Sequence, residues 1–311
     1  LYLYYTGNVK HSGDHDFVLT GREQSTAVAY SPDGVHLGWK RRLMGSGDYP
    51  PGLSRHVRDP KVWKQDGRYY MLLGARTAGD QGEALVFSSE DKFHWEHINT
   101  LRTPEPFGYM WECPDLFELD GRYFLLVSPQ GAPKDGPGVE NVYTAGYFPL
   151  SGDFRGEYSL GDFVPLDFGF DFYAPQTFSD GRRRLLIGWM GMPDADYSNP
   201  TAAQGWQHCL TVPREVTCRD GRLLLTPVQE LEALRTSRYG FPFGGSSTTD
   251  LPPAADIRVT CEGPLSLDLS GVSLRAADGA LTLTVREGGW GRERRTAPAG
   301  PLRNLRFLAD T

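Results

Sequence analysis

Three stretches of this chain repeat one another: RDPKVWKQDGRYYMLLGA at 58–75, ECPDLFELDGRYFLLVSP at 112–129 and YAPQTFSDGRRRLLIGW at 173–189. Each runs from a proline through alternating apolar residues to Asp-Gly, then into a second β-rich run. The Asp-Gly pairs begin at Asp66, Asp120 and Asp180, 54 and then 60 residues apart. Asp-Gly between two alternating runs is the strongest short-range hairpin signal, because a type I′ turn needs positive φ at both central positions. A second element recurs between the hairpins: Ser31-Pro-Asp-Gly leads to Trp39, Ser89-Glu-Asp leads to Trp95, and Ser151-Gly-Asp-Phe154 occupies the same place later. Each unit therefore predicts two hairpin strands, a third strand such as ALVFSS at 84–89, and an outer strand. Four antiparallel strands at this spacing are the pattern of a β-propeller blade. A β-sandwich contains hairpins too, but has no reason to repeat one sequence three times.

After about Pro213 the repeat stops. TPVQELEALR at 226–235 has helical spacing and predicts a linker helix within 226–240, while 241–250 is rich in Gly, Ser, Thr and Pro and predicts a loop. Beyond it, IRVTCEG, LSLDLS, ALTLTVRE and LRFLAD alternate as half-buried strands of a second module, with Leu302–Thr311 expected to open a late strand. The expected organisation is all-β: a propeller at 1–225, the linker helix at 226–240, and a partial β-sandwich at 241–311.

Composition narrows the function. With 39% hydrophobic and 23% charged residues the chain is ordinary globular material. A net charge of −7 and a pI near 5.5 argue against a nucleic-acid partner, which needs a basic face to neutralise phosphates. No apolar run reaches membrane-spanning length, so no membrane partner is expected. Cys113, Cys209, Cys218 and Cys261 show neither a CxxC pair nor metal-ligand spacing, which fits a reducing compartment. The single Asn-x-Thr acceptor is blocked by Pro200. A cytoplasmic protein is the expectation, and a first residue other than methionine leaves secretion open.

The repeat places Asp59, Glu112 and Tyr173 near the starts of innermost strands, so that acidic side chains from separate blades converge on one funnel. Two converging carboxylates are what glycoside hydrolysis requires, one to protonate the leaving oxygen and one to attack or stabilise the sugar cation. A second negative charge close to Glu112 favours a protonated acid. Taken singly, each residue has a plainer account. An acid at a strand start is more often a turn or cap residue, Arg58–Asp59 reads as a structural ion pair, and Trp63, Trp95, Trp111, Trp189 and Trp206 read as core residues before sugar platforms.

Together these residues resemble glycoside hydrolase family 32, which includes invertases, sucrose-6-phosphate hydrolases, inulinases and levanases. The resemblance is carried, in order, by Arg58-Asp59-Pro60, Trp111-Glu112-Cys113-Pro114-Asp115, Phe172-Tyr173-Ala174-Pro175-Gln176-Thr177-Phe178, Gly188-Trp189-Met190-Gly191 and Leu210-Thr211-Val212-Pro213-Arg214-Glu215. It implies a five-bladed propeller, its first blade incomplete here, followed by a β-sandwich. It implies Glu112 as general acid/base, Asp59 as stabiliser of the oxocarbenium-like transition state, and Arg58 as orienting that group. Cys113 is placed to tune the acid, and Tyr173 and Trp189 to wall the sugar pocket. No metal or organic cofactor is implied, and the expected partner is a small sugar: sucrose, sucrose 6-phosphate or a short fructan. The run at 194–216 resembles bacterial intracellular sucrose hydrolases most. A phosphorylated substrate would want a cationic clamp, for which Arg41, Arg42, Arg55 and His56 are candidates, though each reads first as solvated charge.

One departure matters. The family's nucleophile is an aspartate in an early Asn-Asp-Pro-Asn-Gly motif that this sequence does not contain, and Asp14 and Asp16 have different surroundings. The preceding Phe-Ser-Gly-Ser motif is absent too, so the chain is expected to begin after both and to be nearly inactive alone. Two other readings remain open: a carbohydrate-binding propeller fragment, and a related propeller glycosidase acting on arabinose- or xylose-containing chains.

Overall fold

The computed structural model describes all residues except 241, 243, 247, 251, 253, 270, 286–293, 301–303 and 311. The chain divides into two compact units, Leu1–Ala195 with His208–Thr226, and Asp196–Gln207 with Pro227–Thr311.

The first unit holds four antiparallel sheets among the described residues. The first comprises β1 (Tyr2–Lys10), β2 (Arg22–Tyr30) and β3 (Trp39–Gly45); the second β4 (Leu53–Gln65), β5 (Arg68–Thr77), β6 (Gly82–Ser89) and β7 (Glu96–Leu101). The third runs through β8 (Met110–Leu119), β9 (Arg122–Gln130) and β10 (Gly146–Gly152), with short β11 (Tyr158–Leu160) and β12 (Val164–Pro165) both on β10. The fourth is β13 (Phe172–Ser179), β14 (Arg184–Met190), β16 (Arg214–Arg219) and β17 (Arg222–Pro227), with β15 (Cys209–Leu210) also on β14.

Packing follows from the second strand of each sheet, which is apolar on both faces because both are covered. On β5, Met71, Leu73 and Ala75 join Met44, Val57, Leu85 and Phe87 in a cluster shared with the first sheet. The alternate residues Tyr70 and Leu72 join Trp111, Leu116, Leu125, Val127 and Phe148 of the third. On β9 the same switch occurs: Phe124 and Leu126 turn instead to Phe172, Leu186 and Val216 of the fourth. Each successive pair of sheets thus shares one apolar layer, which is blade-on-blade packing.

Local chemistry explains the turns. Asp66-Gly67 (φ 50° and 82°) and Asp120-Gly121 (φ 52° and 70°) make the predicted turns, since Asp tolerates and Gly prefers the left-handed region. At Asp180 the turn is longer, spanning 180–183, because Arg182 and Arg183 donate their amides to Asp180 Oδ1 at 2.9 and 2.7 Å. The Ser-x-Asp element also repeats in space. Ser31 Oγ and Ser89 Oγ accept amides three residues on, and Asp33 Oδ1 and Asp91 Oδ1 each accept two more. The propeller pattern continues past Pro213: β16 and β17, joined through Asp220-Gly221 (φ 52° and 77°), complete the fourth sheet. The sequence hid this because β16 carries little apolar alternation; only Val216 is buried.

In the second unit β18 (Ala254–Thr260) pairs with β23 (Asn304–Asp310), and β19 (Leu265–Leu269), β20 (Val272–Ala277), β21 (Ala280–Val285) and β22 (Arg294–Pro298) form a meander. The expected linker helix is only a 3₁₀ segment, Gln229–Leu234. It has no side-chain cap and buries no residue, so nothing extends it against its weak local signal. Ser270, Arg286, Glu287, Leu302, Arg303 and Thr311 of the expected strands lie outside the described residues. So do positions 241, 243 and 247 of the expected loop, whose other residues are neither helix nor strand.

Among the described residues β1 is an edge strand, bonded only to β2, and its Leu3, Tyr5 and Val9 are exposed. Gly74 of β5 shows how closely sheets meet: a Cβ there would lie 2.0 Å from the Trp111 carbonyl oxygen, which is backbone and cannot swing away. Gly74→Ala is therefore expected to cost about 2–3 kcal/mol, read as a lower urea midpoint. Gly47→Ala, where nothing lies within 4 Å, is the matched control expected to cost little.

Candidate active site

Each inner strand carries the same irregularity. The ladders of β4, β8 and β13 shift register between Arg58 and Lys61, between Glu112 and Asp115, and between Tyr173 and Gln176. The residue at each bulge has positive φ, Asp59 at 63°, Cys113 at 50° and Ala174 at 50°, and a proline follows it. Proline lacks the N–H that the ladder needs, so the strand bulges there and re-aims its neighbours.

The bulges give the repeat's own alignment a physical basis. Counted from the prolines, Arg58, Glu112 and Tyr173 are equivalent, and Asp59 matches Cys113 and Ala174. The three equivalent side chains meet. Arg58 donates to Glu112 Oε1 through Nε at 2.9 Å and Nη2 at 2.7 Å. Tyr173 Oη lies 2.7 Å from Glu112 Oε2 and 3.0 Å from the Ser128 carbonyl. Burial, followed by the charge of Glu112 and its hydrogen bond, pushes the Tyr173 hydroxyl far up, so it stays a donor. The group directly against Glu112 is thus a guanidinium, not the second carboxylate expected from sequence.

Asp59 sits alongside. Its amide donates to Thr6 Oγ1 at 3.0 Å, and its Oδ2 accepts the Cys113 amide at 3.0 Å, with Arg58 Nε 3.9 Å away. Burial raises the Asp59 pKa; the Cys113 amide and Arg58 oppose that, and Glu112 adds to it. Cys113 Sγ lies 3.8 Å from the same oxygen, and burial with the nearby Asp59 charge holds the thiol well above its ordinary pKa. Cys113 therefore touches Asp59 through its amide and a neutral thiol. Arg58 lies between the two acids.

A polar lattice behind these residues ties three inner strands together. Lys61 Nζ pairs with the fully buried Asp115 at 3.1 Å and donates to Gln176 Oε1 and the Thr177 carbonyl. Asp115 Oδ2 accepts the Thr177 amide and hydroxyl, both at 2.7 Å, and Gln176 Nε2 donates to the Cys113 carbonyl at 2.9 Å. In the sequence Asp115, Gln176 and Thr177 carry no signal beyond their place inside the motifs.

Other expected residues fall elsewhere. Trp189 pairs with Tyr173 across the ladder, and its ring stands edge-on to His208 at 4.9 Å, with no ring or hydrogen-bond contact to the Arg58–Glu112–Tyr173 group. Trp111 is core, stacked on Phe148. Of the candidate clamp, Arg41 lies over Phe93 and Arg55 is exposed, its Nε 3.3 Å from the Leu19 carbonyl. Only His56 joins the acid's surroundings: Arg58 Nη1 is 2.7 Å from its Nδ1. Arg22, which sequence reasoning passed over, lies 3.3 Å from the same nitrogen. Among the described residues no cluster of three or more His, Cys, Asp or Glu is arranged to hold a metal ion, and no helix is long and apolar enough to cross a membrane.

Blades of antiparallel strands with acids on successive inner strands define the class of propeller glycosidases. Within it, the chain belongs to glycosyl hydrolase family 32: residues 1–227 match the model described as the family's N-terminal domain. The chain is 43% identical over 246 residues to the sucrose-6-phosphate hydrolase of Bacillus subtilis, covering 76% of this chain and 49% of that protein. It is 40% identical over 332 aligned positions to that of Klebsiella pneumoniae, covering 100% and 66%. It spans about half to two thirds of these relatives. Among solved structures, the sucrose-6-phosphate hydrolase of Lactobacillus gasseri superposes with a TM-score of 0.85 at 25% identity, and a family 32 β-fructofuranosidase of Bombyx mori with 0.77 at 29%. Each match covers 99% of this chain and 67% of the other. These neighbours are five-bladed β-propellers with a β-sandwich, and the fold here is of that type.

The raised Asp59 pKa has a sign. A buried acid that binds its proton more tightly when folded loses stability as pH rises from the unfolded value through the folded one. The stability of Asp59→Asn relative to the parent chain is therefore expected to improve as pH rises from about 4 toward 7, read as the difference between their melting temperatures across that range. A flat difference would remove the charge cost at this position.

Proposed function

We propose that the parent protein of this chain is a retaining β-fructofuranosidase that hydrolyses sucrose or sucrose 6-phosphate in the cytoplasm, with Glu112 as general acid/base. The observation that carries this reading is the clamped carboxylate itself: Glu112 has Arg58 on one oxygen and Tyr173 on the other, beside the half-buried Asp59. Relatives named sucrose-6-phosphate hydrolase support the substrate class, as does the Bombyx mori β-fructofuranosidase, a mutant of which was solved with sucrose.

Acid/base catalysis requires one carboxyl to be stable with and without a proton. Tyr173 supports both forms. When Glu112 is ionised the phenol donates to Oε2; when that oxygen carries the proton, the phenol's hydrogen turns to the Ser128 carbonyl and its oxygen accepts. Arg58 keeps Oε1 fixed in either case. In this reading Asp59 holds fructose hydroxyls and stabilises the cationic transition state, its carboxylate oriented by the Cys113 amide. Tyr173 and Trp189 are assigned to the pocket wall.

A covalent fructosyl intermediate needs a second carboxylate as nucleophile. Asp16 is not a candidate, because its Oδ1 accepts the amides of Val18, Leu19 and Thr20, which lower its pKa to about 2 and leave it serving a turn. Residues 1–311 contain no Asn-Asp-Pro-Asn-Gly, so the nucleophile is assigned to an aspartate outside them. Sucrose incubated with the 311-residue chain is expected to release little fructose, and a chain extended upstream through such a motif to release it readily. Rapid release by the short chain would overturn the nucleophile assignment. In the extended chain Glu112→Gln is expected to lower kcat by about 10²–10⁴ while sparing sugar binding; full activity would remove Glu112 from its role. Comparing kcat/KM for sucrose and sucrose 6-phosphate decides the natural substrate.

A further inference from the structure

We propose that His56 is a positioning residue for the acid, fixed as its Nε2–H tautomer by the Phe17 carbonyl so that its bare Nδ1 anchors Arg58 on Glu112. The catalytic consequence rests on reading Glu112 as the acid; the hydrogen-bond relay does not.

Two contacts independently select the same tautomer. His56 Nε2 lies 3.0 Å from the Phe17 carbonyl oxygen, which only accepts, so this nitrogen carries the hydrogen. His56 Nδ1 lies 2.7 Å from Arg58 Nη1, which only donates, so that nitrogen is bare. An imidazolium would turn an N–H against a guanidinium N–H. Every charge facing the ring opposes that state: Arg58 from β4 itself, Arg22 from β2 and Arg76 from β5. Arg22 Nη1 sits 3.3 Å from Nδ1, where it shares that nitrogen's lone pair with Arg58, and 3.4 Å from Nε2, and it adds positive charge beside the ring. Burial and these cations lower the His56 pKa to about 4.

The relay then acts on geometry. Arg58 is a long side chain with much rotamer freedom to lose. With Nη1 held by His56, its Nε and Nη2 both turn to Glu112 Oε1, at 2.9 and 2.7 Å. The other end is firm as well. Phe17 stands in the β1–β2 connection at φ 54°, inside the turn that Asp16 closes, and the Arg55 amide donates to the Val18 carbonyl at 2.7 Å. A loop with no acid of its own in the site thereby sets the direction of the group that holds the acid.

The test uses the 311-residue chain with ¹⁵N-labelled histidine and arginine, read by NMR. His56 is expected to show the Nε2–H tautomer from pH 8 down to about 5, and Arg58 Nε–H to exchange slowly. An Nδ1–H tautomer, or a midpoint at the ordinary histidine value near 6.5, would overturn the proposal. His56→Asn, whose amide oxygen falls near Nδ1, is expected to keep the Arg58 protection. His56→Phe and His56→Gln, which supply no acceptor at that point, are expected to speed exchange by about tenfold or more. Equal protection in all three also overturns it, and the two losing variants cover the case in which one fails to fold. In the upstream-extended chain, His56→Phe is expected to lower kcat about tenfold or more with KM little changed, and His56→Asn to rescue it; an unchanged kcat counts against the proposal. If the extended chain with His56 intact hydrolyses nothing, the reading of Glu112 falls, while the NMR result still decides the relay.

Discussion

The missing amide hydrogen of three prolines is the constraint on which the site depends. Pro60, Pro114 and Pro175 each stand where an inner strand would otherwise keep its ladder. The strand answers with a residue in the left-handed region, and the residue before it is turned out of the regular alternation. Arg58, Glu112 and Tyr173 are the three side chains so turned, and they close one hydrogen-bonded group. Had these strands been regular, the same residues would have followed the two-residue alternation onto a blade face. The lattice of Lys61, Asp115, Gln176 and Thr177 just beyond the bulges then keeps the inner strands in register with one another.

Charge is arranged around a single arginine. Arg58 sits against Glu112 at 2.7 Å and 3.9 Å from Asp59, so both acids of the site share one cation. It lies 16% exposed, where such an attraction is less screened than at the surface. The acids nonetheless differ in their fixed donors. Asp59 takes a backbone amide, whose direction the bulge at Cys113 sets, whereas Glu112 takes side chains that move with their own partners.

Much of this was legible in the residues. Asp-Gly at 66 and 120 named the hairpins, because few other pairs accept two positive φ angles. The β-rich runs after each Asp-Gly announced the second hairpin strands, whose two covered faces the structure then shows. Glu112, Asp59 and Arg58 stood out within recognisable motifs. What was not legible had physical reasons. The repeats already set Arg58 level with Glu112 and Tyr173, but that the three side chains touch depends on the bulges, and periodicity cannot reveal a bulge of one residue. β16 and β17 lie within the expected propeller but escaped the repeat because β16 buries only Val216, and the linker helix was overcalled because local spacing says nothing about whether a partner face exists. His56 looked like solvated charge. Its role depends on Phe17, 39 residues away, and a backbone carbonyl leaves no mark in a sequence.

β1 has a consequence of a different kind. A nine-residue strand whose outer N–H and C=O groups meet no described strand, and whose Leu3, Tyr5 and Val9 lie open, is a template for any extended chain that reaches it. It carries a lysine only at its far end, Lys10, and no proline along its length to discourage pairing. An extended segment laid along this edge, from the same polypeptide or another, would bring the three-stranded sheet to the four strands of the second, and its backbone alone would supply the bonds.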